Sequence, residues 1–195
     1  MHQHRLLAIP NRTRLERVLR YVLDESELLS PYGVRSLSRY HLDHPYVLHL
    51  DGNPYEVHYT PGESDTGLFG GNSNWRGPVW MPVNFLLVEA LQKYHHYYGS
   101  ELHVPMPTAG GPERTLGEVA DELSRRLIGL FLPAADGWRP SDGADLRHGA
   151  AADWSAEPTF YEYFHGDTGT GLGASHQTGW TALVAKLIRQ LGPDV

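Results

Sequence analysis

Apolar residues recur at helical spacing in four stretches of the chain. The first stretch, residues 11–23, has apolar residues at i, i+3, i+4, i+7 and i+8, and Asn11 can cap the resulting helix. The same period predicts helices over residues 82–98, 115–132 and 178–191. The apolar face of the first helix consists of Leu15, Val18, Leu19, Val22 and Leu23.

The residues at the ends of these stretches agree with the helix assignments. Pro82 suits the first turn of the second helix, and Gly99 suits its end. Thr115 and Glu118 form a capping box at the start of the third helix. The face that we expect the second helix to bury comprises Val83, Leu86, Leu87, Ala90, Leu91, Tyr94 and Tyr98.

One region alternates with period two instead. Residues 47–50 and 55–59 flank the turn-forming sequence Asp51-Gly52-Asn53-Pro54, which predicts a β-hairpin or a pair of extended segments. Long polar loops separate the predicted helices elsewhere, and the length of 195 residues suits one domain. The pattern therefore predicts an all-α scaffold with a small β-hairpin insertion.

Composition narrows the classes of function. A net charge of −7 without a Lys/Arg run argues against nucleic acid as a partner, and no apolar run reaches membrane-spanning length. The chain has no Cys, and its 12 His residues lack tight ligand spacing, so we expect surface histidines and neither metal nor cofactor. We also expect a cytoplasmic protein. The histidines considered as ligands are His41, His44, His49 and His58.

Residues 160–180 combine a carboxylate, aromatic rings and glycines. Glu162 lies between Tyr161 and Tyr163, and glycines then occupy positions 166, 169, 171 and 173. Aromatic residues beside a carboxylate offer flat faces for sugar rings and a drier environment for the acid. An ordinary glycine-rich turn with one exposed carboxylate is the alternative.

A second loop, residues 61–80, ends in Trp75-Arg76-Gly77-Pro78-Val79-Trp80 directly before a helix. The loop thus carries two indoles and a guanidinium within six residues, and such clusters often pack a loop onto a core. Together, the Tyr161-Glu162-Tyr163 and Trp75–Trp80 motifs resemble the two signatures of glycoside hydrolase family 63. Asn74 stands where many members of that family carry an aromatic residue.

The resemblance implies a partial (α/α)6 barrel of the six-hairpin glycosidase type. Residues 1–195 would form the C-terminal portion of the catalytic domain, with the N-terminal part of the barrel absent. The implied activity is that of an inverting α-glycosidase, glucosidase-like, acting on α-linked glucosides or oligosaccharides. Glu162 matches the general base of the family.

The resemblance also implies roles for other side chains. Trp75 and Trp80 would wall the sugar, Gln177 would bind a hydroxyl, and Arg76 would brace the loop or the base. Further candidates for substrate binding are Tyr161, Tyr163, His165 and Trp180.

The general acid is the part of the machinery that the sequence does not supply. The family places it on an Asp-bearing loop well upstream, and that motif does not occur here, so Asp65 is not assigned the role. We therefore expect this chain alone to be inactive, with the N-terminal portion of the barrel required for activity. A non-catalytic carbohydrate-binding remnant and a helical interaction domain are the alternatives.

Overall fold

A computed structural model describes residues 6–135, 137–143 and 158–192. All four predicted helical stretches are confirmed, and the last is divided into two helices near Ala182. The helices are α1 (Arg12–Val22), α2 (Met81–Tyr98), α3 (Leu116–Gly129), α4 (Thr178–Thr181) and α5 (Val184–Leu191).

Every sheet in the described part of the chain is a pair of short antiparallel strands. The predicted hairpin is confirmed, and its two-residue turn uses Asp51 and Gly52 at φ values of 50° and 78°. Three smaller hairpins, with strands of two or three residues, were not predicted. The strand pairs are β1 (Leu29–Ser30) with β2 (Gly33–Val34), β3 (Tyr46–Leu50) with β4 (Asn53–Val57), β5 (His103–Pro105) with β6 (Glu113–Thr115), and β7 (Tyr163–Phe164) with β8 (Gly171–Leu172).

The core lies between α2, α3 and α5. Helix α3 packs on both of the others, and Leu123, Leu127 and Leu187 are almost completely buried there. At the edge of this packing, Glu89 on α2 accepts hydrogen bonds from Lys186 and Gln190 on α5, at 3.0 and 2.8 Å. Apolar burial therefore holds the helices together, and polar contacts join their exposed edges.

Helix α1 begins as its sequence predicts. The Asn11 side chain accepts a hydrogen bond from the Arg14 amide at 3.0 Å, which satisfies one of the free N–H groups of the first turn. Four of the five predicted apolar residues are buried, whereas Val18 is 54% exposed. The apolar face is therefore slightly narrower than the pattern indicates.

The predicted buried face of α2 is wrong in part. Leu86 is 66% exposed and Val83 is 39% exposed, whereas Asn84 is 2% exposed. The Asn84 amide accepts from the Val34 amide at 2.7 Å and donates to the Val34 carbonyl at 2.9 Å. This polar contact fixes the rotation of α2 against β2, and apolar periodicity cannot detect it. The fully buried residues of α2 are Met81, Asn84, Val88 and Leu91.

The described residues contain neither a membrane-spanning helix nor a cluster of metal-binding side chains. No helix among them combines the length and the apolar character needed to cross a membrane. No group of three or more His, Cys, Asp or Glu side chains among them has an arrangement suited to a metal ion. His58, one of the histidines considered as a ligand, instead pairs with Asp65 at 2.9 Å.

Candidate active site

The two motif-bearing loops meet through backbone hydrogen bonds. Val79 belongs to the Trp75–Trp80 motif, and Phe164 directly follows Tyr161-Glu162-Tyr163. The backbones of Val79 and Phe164 exchange N–H···O bonds of 2.8 and 3.0 Å. Val79 also bridges to Arg35 on its other side. This bridge holds the loops that precede α2 and α4 side by side, so the predicted site residues of both loops lie near one another.

The carboxylate of Glu162 is half-buried and is held at both oxygens. The Asn72 side-chain amide donates to Oε1 at 3.1 Å, and the Ala174 backbone N–H donates to Oε2 at 3.2 Å. A carboxylate that accepts at both oxygens is well oriented and retains lone pairs for further donors. Glu162 is thus a fixed, solvent-accessible acceptor next to the tryptophan loop.

The glycines after Glu162 allow close packing around this carboxylate. A Cβ atom on Gly171 would lie 2.0 Å from the Tyr161 ring. A Cβ atom on Gly173, where φ is 69°, would lie 2.8 Å from Glu162 Oε2 and 2.7 Å from the Tyr163 ring. Both positions therefore require glycine if the loop is to lie against Glu162 and its flanking tyrosines.

Three predicted indoles form a continuous aromatic cluster. The ring centroids of Trp75 and Trp80 lie 4.7 Å apart at an interplanar angle of 70°, and those of Trp80 and Trp180 lie 5.2 Å apart at 80°. These are edge-to-face geometries, which aromatic pairs prefer. Trp75 is 52% exposed, so the cluster presents an aromatic surface to solvent.

Arg76 is buried, with 1% of its surface exposed, and it holds the preceding loop together. Its guanidinium donates to Thr66 Oγ1 at 3.1 Å and to the Ser64 hydroxyl, and it lies 3.5 Å from the Asn72 carbonyl. Asn72 is the residue that binds Glu162. Of the two roles expected for Arg76, bracing the loop is the one that these contacts favour.

Tyr163 is buried as well, and its hydroxyl donates to Glu63 Oε2 at 3.1 Å. Burial raises the pKa of Tyr163, so the hydroxyl remains a donor throughout the neutral range. The second oxygen of Glu63, Oε1, accepts from the Gly173 N–H at 3.3 Å. Tyr163 therefore lies beneath the site and orients a second carboxylate beside Glu162.

His165 is half-buried below the glycine loop. Its Nδ1 atom accepts from the backbone N–H groups of Asp167 and Thr168, at 3.1 and 3.3 Å. Burial lowers the pKa of His165, and the nearby Asp167 carboxylate opposes this effect. Because Nδ1 is an acceptor, the neutral ring carries its proton on Nε2.

Gln177 precedes α4 directly. Its backbone N–H donates to the Phe160 carbonyl at 2.8 Å, and its carbonyl accepts from the Trp180 and Thr181 N–H groups at 3.1 and 3.0 Å. The side chain does not cap the helix. The Thr181 hydroxyl donates to the backbone carbonyl of Tyr161. Burial raises the pKa of the Tyr161 phenol. Gln177 and Trp180 therefore lie on a helix start attached to the segment that carries Glu162.

A partly buried ion pair attaches the glycine loop to the rest of the domain. Arg35, with 4% of its surface exposed, donates to Asp167 Oδ1 at 2.9 Å and to the Tyr59 hydroxyl at 2.9 Å. The Tyr59 hydroxyl in turn donates to the same Asp167 oxygen at 3.0 Å, and burial raises the pKa of Tyr59. The three side chains fix the loop against the segment around residue 35.

Sequence reasoning missed two polar residues of the site, Asn72 and Glu63. Both lie in the loop of residues 61–80, whose glycines and polar residues were a general signal of function. Neither belongs to an aromatic motif, and their contacts join segments 90 and 110 positions apart. Asp65, the upstream carboxylate considered for the acid, accepts from His58 at 2.9 Å, and this bond lowers the pKa of Asp65.

The helix-rich fold with small antiparallel hairpins is consistent with a glycoside hydrolase domain, and comparison with known proteins assigns the chain to this class. The chain belongs to the mannosylglycerate hydrolase MGH1-like glycoside hydrolase domains, whose family model matches residues 6–181. The resemblance to glycoside hydrolase family 63 is thereby confirmed.

Three fungal relatives cover most of the chain. Uncharacterized protein YMR196W of Saccharomyces cerevisiae is 51% identical over 96% of the chain. The mannosyl-oligosaccharide glucosidase of Saccharomyces cerevisiae is 28% identical over 91% of the chain, and a probable mannosyl-oligosaccharide glucosidase of Schizosaccharomyces pombe is 26% identical over 91%. The matched regions are 17%, 15% and 15% of the respective relatives, so the chain spans about one sixth of their length.

Proposed function

We propose that this chain is the part of an inverting α-glycosidase that carries the general base, Glu162. The observation that carries the proposal is the environment of this carboxylate. Both of its oxygens are held by donors, it remains accessible to solvent, and it lies in the segment bridged to the tryptophan loop. A general base needs this combination of fixed orientation and free lone pairs, because it must accept a proton from a positioned water.

An inverting mechanism needs a second carboxyl group on the opposite side of the scissile bond. Glu162 would remove the proton from a water that attacks the anomeric carbon, while an acid protonates the leaving oxygen. The two groups stand roughly 6.5–9.5 Å apart in such enzymes, which leaves room for the water. We propose that the acid lies outside these 195 residues, since the acid-bearing motif of family 63 does not occur in them.

The tryptophan cluster would bind the sugar. Trp75 exposes half of its surface and is backed by Trp80, which is backed in turn by Trp180. Such a cluster offers rigid apolar faces for a pyranose ring. Gln177 would add a hydrogen bond to a hydroxyl, and Arg76 would act indirectly by holding the loop that positions Asn72.

We further propose that the helices form part of an (α/α)6 barrel. The two motif-bearing loops both lead into the N-terminal ends of helices, α2 and α4, and those ends are adjacent through Trp80 and Trp180. A barrel of helical hairpins places its pocket at such loop-bearing ends, and scaffolded loops are where functional residues usually lie. The remaining hairpins would come from the rest of a longer polypeptide.

The substrate class that we propose is an oligosaccharide ending in an α-linked glucose, or a small α-glucoside. This choice is supported by two relatives, one named mannosyl-oligosaccharide glucosidase and the other probable mannosyl-oligosaccharide glucosidase. No cofactor is needed, because acid–base hydrolysis requires carboxyl groups and water alone.

The test uses a polypeptide extended upstream of this chain to the length of the relatives. We expect it to hydrolyse an α-glucosyl disaccharide and to release the β-anomer first, as detected by proton NMR. Glu162→Gln should lower kcat by about 10²–10⁴-fold because the base is lost. Asn72→Ala should lower kcat by about tenfold with little change in KM, because the base remains but is held at one oxygen only. Glu25→Gln, at an exposed surface carboxylate, is the control.

Four results would count against the proposal. Release of the α-anomer first would exclude inversion, and full turnover by Glu162→Gln would exclude Glu162 as the base. Sugar binding without any turnover in the extended polypeptide would favour a carbohydrate-binding protein. If the extended polypeptide neither binds nor hydrolyses the sugar, a helical interaction domain is the remaining alternative.

A further inference from the structure

The backbone directly before Glu63 is held by two hydrogen bonds. The Gly166 N–H donates to the Pro61 carbonyl at 2.9 Å, and the Ser73 hydroxyl donates to the Gly62 carbonyl. The Glu63 carboxylate is itself held by the Tyr163 hydroxyl and by the Gly173 N–H. An exposed glutamate whose carboxylate is held in this way differs from an ordinary solvated side chain, which keeps its rotamer freedom.

Glu63 and Glu162 both bind the peptide segment at Gly173 and Ala174. The backbone N–H groups of these two consecutive residues donate to Glu63 and Glu162 respectively. Gly173 also lies against Glu162 and Tyr163, because a Cβ atom there would lie 2.8 Å from Glu162 Oε2 and 2.7 Å from the Tyr163 ring. The two carboxylates are therefore held by adjacent residues of the glycine loop.

Within the described ranges, neither Glu63 nor Glu162 has a partner among the ion pairs of the protein. The donors that hold them are neutral, and each carboxylate has about four lone-pair positions, of which two are occupied. Both groups therefore retain acceptor capacity on their exposed sides. The ligand that such a pair fits carries several neutral hydroxyl donors.

We propose that Glu63 binds a hydroxyl group of the sugar whose glycosidic bond Glu162 hydrolyses, and so helps to determine which sugar is accepted. This proposal rests on the proposed function. Glu63 acts as an acceptor and not as the missing general acid, because both of its oxygens face donors and an acid needs a proton to donate. Tyr163 is the residue that positions Glu63, and it does so from beneath the site.

The test compares Glu63→Gln with the wild type in the extended polypeptide, on an α-glucoside and on its monodeoxy analogues. For the intact glucoside, we expect KM to rise about 10–100-fold and kcat to change by less than about threefold, since a charge-assisted hydrogen bond is weakened. For the wild type, one monodeoxy analogue should have a much lower kcat/KM than the intact glucoside. The ratio of these two kcat/KM values should shrink at least about fivefold in Glu63→Gln. Tyr163→Phe should give the same pattern in weaker form.

Glu56→Gln is the matched control, because Glu56 is an exposed carboxylate on β4 seven positions upstream. It should leave the pattern across the deoxy series unchanged, and melting temperatures check that every variant is folded. If Glu63→Gln lowers activity on all analogues by the same factor, Glu63 only supports the loop and the proposal fails. If the wild type neither binds nor hydrolyses any α-glucoside, the proposed function fails first and the assignment of Glu63 fails with it.

Discussion

Asn84 is the residue that most clearly sets the rotation of α2. Its amide is buried at 2% exposure and takes the place of a strand partner for the backbone of Val34, at 2.7 and 2.9 Å. Buried backbone groups need such partners, because an unpaired one loses its hydrogen bonds to water without replacement. A polar side chain thus decides which face of an otherwise apolar helix is buried.

Replacing Asn84 by Leu should lower the free energy of unfolding by about 2–4 kcal/mol, because the N–H and the carbonyl of Val34 both lose their partner. Urea unfolding followed by circular dichroism measures this change. Leu86→Ala is the matched substitution on the exposed side of the same helix, and it should cost less than about 0.5 kcal/mol. Equal costs for the two variants would contradict the rotation of α2 described here.

Among the candidate site residues, those in short local motifs can be proposed from the sequence, whereas those joined by distant contacts cannot. Glu162, Trp75 and Trp80 stand in compact aromatic motifs that the sequence displays directly. Asn72 and Glu63 become part of the site only through contacts across 90 and 110 positions. A single sequence carries no signal for such pairs, because a polar residue in a glycine-rich loop has the same appearance whether or not it has a partner.

At the scale of elements, helices and their ends follow from local chemistry. The Thr115–Glu118 capping box, the Asn11 cap and the stop at Gly99 are all as predicted, because each depends on residues a few positions apart. The hairpin β7–β8 is different. Its strands contain two residues each, too few for a period-two pattern, and they are held by the bridge from Phe164 to Val79.

The loop between β7 and β8 should make stability depend on pH through His165. Its folded-state pKa lies below the unfolded value of about 6.5, because burial disfavours the charged ring. Below pH 6.5 the unfolded chain therefore binds more protons than the folded one, and stability is lost as the pH falls from 6.5 toward the folded-state pKa. Urea midpoints between pH 7.5 and 5 measure this loss.

His165→Gln should flatten the pH profile, because the titrating group is removed while the side-chain oxygen can still accept from the loop N–H groups. His49→Gln, on the exposed strand β3, should leave the profile unchanged. A histidine signal of residue 165 that titrates above pH 6.5 in NMR spectra would contradict the predicted direction.

At the scale of the whole molecule, the hairpin β3–β4 leaves a set of apolar side chains exposed. Every residue of β3 and four of the five residues of β4 are exposed, and the side chains of Tyr46, Leu48, Leu50 and Tyr55 each expose about half of their surface. Contiguous apolar surface of this kind is typical of interaction sites.

The chain on its own should therefore release no sugar from α-linked glucosides. By our proposal it carries the base while the acid lies outside it, and losing one member of an acid–base pair removes about 10²–10⁴-fold of rate. The absent barrel walls would also remove the positioning of the substrate. We expect the isolated chain to associate in sedimentation experiments and the polypeptide extended upstream to be monodisperse and active. Turnover by the 195-residue chain itself, abolished by Glu162→Gln, would contradict this and place the acid within these residues.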